Sequence, residues 1–100
     1  MKFAFLREAE DEVNQAIAYY EEIEHGLGIR LKEETRRLGQ WIEHNSTVPP
    51  PRPAGYRRVN LKVFPYYIAY FILADTIWIL AFAHCRRRPE YWISRKQQIG

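Results

Sequence analysis

Cysteine is nearly absent from this 100-residue chain: Cys85 stands alone, so no internal disulfide can form. The three histidines, His25, His44 and His84, are scattered and make no cluster at metal-ligand spacing. The five glycines form no phosphate-cradling loop, so no nucleotide-binding signature is present and no cofactor is expected. The opening Met1-Lys2-Phe3-Ala4 lacks the charged-then-apolar pattern of a secretory leader, and the expected compartment is the cytosol. Acids are scarce after residue 44, where only Asp75 and Glu90 occur.

A hydrophobic content of 47%, with 15% aromatic, is enough for a buried core and excludes a disordered chain. The length suits one domain over residues 1–100 and leaves no room for a second core. The net charge of +3 conceals a division: residues 1–44 hold six Lys/Arg against ten Asp/Glu, a balance of −4, and residues 45–100 hold nine against two, a balance of +7. A dipolar surface follows, whose basic side attracts phosphate-rich or acidic partners.

Along the chain, Lys2-Phe3-Ala4-Phe5-Leu6 reads as a short first strand with both phenylalanines on one face. From Glu8 to His25 the period changes, with Ala9, Val13, Ala16, Ile17 and Tyr20 at helical spacing and acids crowding the first turns. His25-Gly26-Leu27-Gly28 stops that helix, and a second runs to about His44 on a stripe of Leu31, Thr35, Leu38 and Ile42. Asn45–Gly55, with four of the six prolines, is a stiff connection. Tyr56–Val63 alternates, placing Val59, Leu61 and Val63 on one face and Arg58, Asn60 and Lys62 on the other, as a half-buried strand does.

Phe64–Ala83 is apolar enough to suggest a membrane span, but Asp75 interrupts it, and a central Asp costs roughly 2.5 to 3.5 kcal/mol on insertion. Its β-branched and aromatic flanks, Tyr66–Ile72 and Ile77–Phe82, read instead as two strands joined at Ala74-Asp75-Thr76, with no membrane role. Pro89 is placed to begin a short helix through Arg95. The expected fold class is α+β: an N-terminal strand and a helical hairpin packed on one face of an antiparallel sheet, then a short C-terminal helix. The other face, around Arg58, Lys62 and the arginine run, is expected to be basic and partly open.

Four motifs in order give the chain a resemblance to a known family. They are Ala16-Ile17-Ala18-Tyr19-Tyr20-Glu21 before Gly26-Leu27-Gly28; a proline-rich loop before Tyr56-Arg57-Arg58; Phe64-Pro65-Tyr66-Tyr67-Ile68-Ala69-Tyr70; and the tail His84-x-x-Arg87-x-Pro89-x-x-Trp92. Together they resemble the RelE/ParE superfamily of toxins over essentially the whole chain. The resemblance implies the toxin half of a type II toxin–antitoxin pair, held inactive in a hetero-oligomer with a cognate antitoxin and arresting growth when free. ParE-side members poison DNA gyrase without being enzymes; RelE-side members are endoribonucleases that cut messenger RNA on the ribosome. The Phe-Pro-Tyr strand, the tail and the lack of a lysine-rich strand lean towards ParE.

The ribonuclease alternative needs a base, phosphate clamps and an acid. Lys62 is the candidate base, Arg58, Arg86 and Arg87 the clamps, and Tyr91 the acid or a stacking platform. For binding an antitoxin or a target, the candidates are Arg58, Lys62, Arg86, Arg87, Arg88, Tyr91 and Trp92. The same residues have a plainer reading: cations on a solvated strand face, exposed arginines, and a terminal helix packing its aromatics. A degenerate, non-toxic binding module is a further alternative.

Overall fold

Residues 1–99 are described by a computed structural model. Lys2–Phe5 form β1, and Arg7–Ile23 form α1, whose first turn carries Glu8 and Glu10. The chain leaves α1 through Gly26 at φ 90°, a left-handed backbone that favours glycine. α2, Leu27–Asn45, begins at once and takes Gly28 into its own first turn. That turn has no acid of its own, and Glu21 supplies one: its carboxylate accepts the N–H groups of Gly26 at 2.9 Å and Gly28 at 3.0 Å. These hydrogen bonds, Gly26 first, hold the Glu21 carboxyl below its ordinary value. At Gly28 the two helices nearly touch, because a Cβ there would lie 2.5 Å from the carbonyl oxygen of Ile17.

The sheet comprises β1, β2 (Arg57–Asn60), β3 (Tyr66–Leu73) and β4 (Thr76–His84), in the order β1-β4-β3-β2. The last three strands pair antiparallel, as expected of short connections, and β1 adds itself parallel to β4. β3 and β4 are joined through Ala74 and Asp75, with Ala74 at φ 55°. No helix among the described residues is long and apolar enough to cross a membrane. The register of β3 and β4 shifts at Ala69/Tyr70: Ala69 faces Ala81 while Tyr70 faces Ile79, leaving Leu80 as the extra residue of a bulge.

Each face of the sheet has its own core. Ile68, Tyr70, Ile77, Ile79 and Phe82 pack with Ala9, Ala16, Leu31 and Ile42 from the helices, on the stripes the sequence marks. Leu80 and Ala81, on either side of the bulge's reset, join Leu6, Tyr56, Tyr67, Ala69, Ala83 and Trp92 on the opposite face. That second face is therefore not open: the chain after β4 folds back over it. Trp92 stands edge-on to Tyr56, with ring centroids 4.6 Å apart, and donates its indole N–H to the Tyr67 hydroxyl at 3.0 Å.

Two elements differ from the sequence reading. The strand expected over Tyr56–Val63 ends at Asn60, because the Glu34 carboxylate of α2 takes the N–H groups of Lys62 at 2.6 Å and Val63 at 3.3 Å and the backbone bends. Leu61 stays buried and Val63 turns out to solvent. The helix expected from Pro89 is a 3-10 helix at Ile93–Gln98. Glu90 at φ 60° breaks any earlier start, and its carboxylate is held by the Tyr56 hydroxyl at 2.9 Å.

Candidate functional site

β4 ends in His84, and Cys85, Arg86, Arg87 and Arg88 follow in an exposed turn. The Cys85 N–H donates to the Pro65 carbonyl at 2.8 Å, which ties this turn to the start of β3. His84 Nδ1 accepts the Arg86 N–H at 3.0 Å, so a neutral ring carries its proton on Nε2. Among the described residues Arg86, Arg87 and Arg88 have no carboxylate partner. Arg87 instead places its guanidinium over the Tyr91 ring, 3.9 Å from its centroid.

Beneath Tyr91 is a group the sequence reading missed. The Glu12 carboxylate accepts from the Tyr91 hydroxyl, from the Arg95 guanidinium at 2.9 and 3.1 Å, and from the Phe82 N–H at 3.0 Å. Arg95 also donates to the Leu80 carbonyl at 3.0 Å. The register of β1 ends opposite Ile79, and past that point Glu12 and Arg95 take up backbone groups of β4 beside the bulge. Glu12 and Arg95 are 17% and 16% exposed, so the pair is mostly withdrawn from water. Burial, then the Glu12 hydrogen bond and charge, push the Tyr91 hydroxyl far above its ordinary value. A signal existed in the sequence: Glu12 stands three residues after Ala9 and four before Ala16, an acid on the apolar stripe of its helix.

A small cavity of about 180 Å³ opens here between α1 and the sheet, lined by Glu12, Gln15, Tyr19, Tyr66, His84, Arg87 and Tyr91 among others. Tyr66 forms its floor, stacked on Phe82 at 4.8 Å. Lys62 lies elsewhere, lining a groove of about 630 Å³ between α2 and β2 with Arg37, Leu38, Trp41, Val59 and Val63. Arg58 rests on the Tyr67 ring at 3.7 Å, on the face away from the helices, and donates to the Asn60 side-chain oxygen at 3.1 Å.

Of the five residues proposed from the sequence for cleavage, only Arg87 and Tyr91 share a cavity. Lys62, Arg58 and Arg86 do not line it, and the Tyr91 hydroxyl is engaged as a hydrogen-bond donor to Glu12. Trp92 is 1% exposed and offers no surface to a partner; its ring completes the second core instead. Arg58, Lys62, Arg86, Arg87 and Arg88 remain accessible or partly so, on three different parts of the surface. Among the described residues, no group of three His, Cys, Asp or Glu is placed to hold a metal ion.

No family model and no curated protein matches the chain. Among solved structures, a chain of the chromosomal ParDE TA system from P. aeruginosa is similar, with a TM-score of 0.65 and 14% identity over 84% of this chain and 95% of that one. The fold is ParE-like. The likeness takes in the arrangement described above, two helices on a four-stranded sheet closed by a short 3-10 helix. Within the ParE-like fold, the Glu12–Arg95 pair and the buried Trp92 fix the terminal segment to the sheet, and this is what carries Arg87 and Tyr91 to the mouth of the small cavity.

Proposed function

We propose that the chain is the toxin half of a type II toxin–antitoxin pair, neutralised by a cognate antitoxin and arresting growth when free by inhibiting DNA gyrase. The observation that carries this reading is the ParE-like fold, a likeness to a chain of a ParDE TA system that spans most of both chains. The dispersal of the five candidate catalytic groups supports a non-enzymatic mode over RNA cleavage. Cleavage by the 2′-hydroxyl route needs base, clamp and acid around one phosphate, whereas here Lys62 and Tyr91 line separate cavities. The exposed arginines suit a partner surface rich in acid or phosphate, and an antitoxin with acidic and apolar residues fits the same chemistry.

The test is a supercoiling assay with purified chain and gyrase. Loss of supercoiling in proportion to the amount of chain added is the expected result. A gyrase indifferent to the chain at high molar excess would remove the reading.

A further inference from the structure

β1 closes the sheet on the side away from β2, and among the described residues it pairs only with β4. The Lys2 N–H donates to the Asp75 carbonyl at 2.7 Å and the Leu6 N–H to the Ile79 carbonyl at 3.0 Å. Bonded residues alternate along a strand, so Lys2, Ala4 and Leu6 turn their backbone groups to β4, and the N–H and C=O groups of Phe3 and Phe5 point outward. Among the described residues those outward groups meet no backbone partner.

The side chains of β1 alternate in the same way. Phe3 and Phe5 lie on the helix-covered face, edge to face with ring centroids 5.7 Å apart, and Phe5 is 38% exposed. Lys2, Ala4 and Leu6 lie on the other face, where Leu6 joins the second core. Lys2 is exposed and has no carboxylate partner among the described residues. Just past the end of the strand, the first turn of α1 carries Glu8 and Glu10, with Asp11 next, against Arg7 alone. The edge therefore has a cation at its start and a surplus of acid at its end. An antiparallel copy of the same edge complements that polarity at both ends, whereas a strand of one charge sign meets repulsion at one of them.

We infer that β1 pairs antiparallel with β1 of a second copy of the chain, about a two-fold axis at Ala4, so that the two sheets become one. Phe3 of each protomer exchanges both backbone hydrogen bonds with Phe5 of the other. The position without hydrogen bonds falls on Ala4 against itself, where Cα atoms approach to roughly 4.5 Å and a small side chain fits. On the helix-covered face the phenylalanines form cross-strand aromatic pairs. At each end Lys2 of one protomer meets Glu8 and Glu10 of the other. The contact is short and isologous, and the dimer is correspondingly weak. The inference goes beyond the toxin reading and does not depend on it.

Sedimentation equilibrium over roughly 10 µM to 1 mM, the span suited to a small interface, should show the mass rising from the 12.0 kDa of one chain towards twice that. Hydrogen exchange should slow at the Phe3 and Phe5 amides over the same range. Phe5→Pro removes an outward N–H and no bond to β4, and should weaken association by about tenfold or more. Lys2→Glu in one variant, and Glu8→Lys with Glu10→Lys in another, each bring like charges together in their own dimers and should weaken association about fivefold. Mixed in equal amounts, these two variants bring opposite charges together at both ends and should associate as the parent does. The proposal is overturned if the mass stays that of one chain throughout, if Phe5→Pro with an unchanged circular dichroism spectrum associates as the parent does, or if the mixture associates no better than either charge variant alone.

Discussion

Glu12 is the residue on which most of the terminal segment depends. Its carboxylate serves α1, β4, Tyr91 and Arg95 together, and removing it strands a guanidinium that is 16% exposed. Glu12→Ala should therefore cost about 2–3 kcal/mol in chemical denaturation, somewhat below the range for breaking a fully buried pair, since water reaches this one in part. A loss under about 0.5 kcal/mol would show that the pair adds nothing to the fold. Thr35 presents the opposite case: its hydroxyl is buried and has no hydrogen-bond partner. Thr35→Val keeps the shape and deletes the orphaned group, and should raise stability by up to about 1 kcal/mol. The sequence places Thr35 on the apolar stripe correctly but cannot say whether its hydroxyl finds a partner, because that depends on where neighbouring carbonyls fall.

Between elements, the α1–α2 contact makes two glycines of one helix behave differently. Alanine at an ordinary helical position gains about 1 kcal/mol over glycine. Gly39 has only Phe3 nearby, at 3.8 Å from a built Cβ, and Gly39→Ala should follow that rule. Gly28→Ala would press on the Ile17 carbonyl at 2.5 Å and should instead lose about 1–3 kcal/mol. Thermal unfolding of both variants checks the opposite signs. The turn between these helices also has a pH dependence. The Glu21 carboxyl is held below its ordinary value, so its contribution is complete at neutral pH and is lost as pH falls below the ordinary carboxylate range and through the lowered value. Unfolding curves from pH 7 to 3 should show part of the acid sensitivity disappear in Glu21→Gln.

Elements whose cause is local were legible in the sequence. The stripes of α1 and α2, the glycine stop and the Asp75 turn each rest on spacing or on one residue's backbone preference. The shortened β2 and the displaced terminal helix were not legible, since both depend on contacts far along the chain: Glu34 reaching the backbone at Lys62, and Glu90 held by Tyr56. The site divides in the same way. The exposed arginines can be read from composition, whereas the burial of Trp92 and the capture of the Tyr91 hydroxyl follow from the terminal segment folding over a sheet face expected to be open.

On the scale of the whole molecule, the charge division of the sequence survives in three dimensions as separate cationic patches. They are the turn after β4, the Arg58 position over Tyr67, and the rim of the α2 groove. The candidate cations and Tyr91 are not gathered around one cavity, and under the proposed function this dispersal supports inhibition by binding over catalysis. The most direct test of that claim is induced expression of the chain in a plasmid-bearing bacterium, with plasmid supercoiling and ribosomal transcript cleavage read from the same cultures. The account predicts growth arrest with relaxed plasmid and intact messages. Arrest with cleaved messages and normal supercoiling, abolished by Arg58→Ala or Tyr91→Ala, would contradict it.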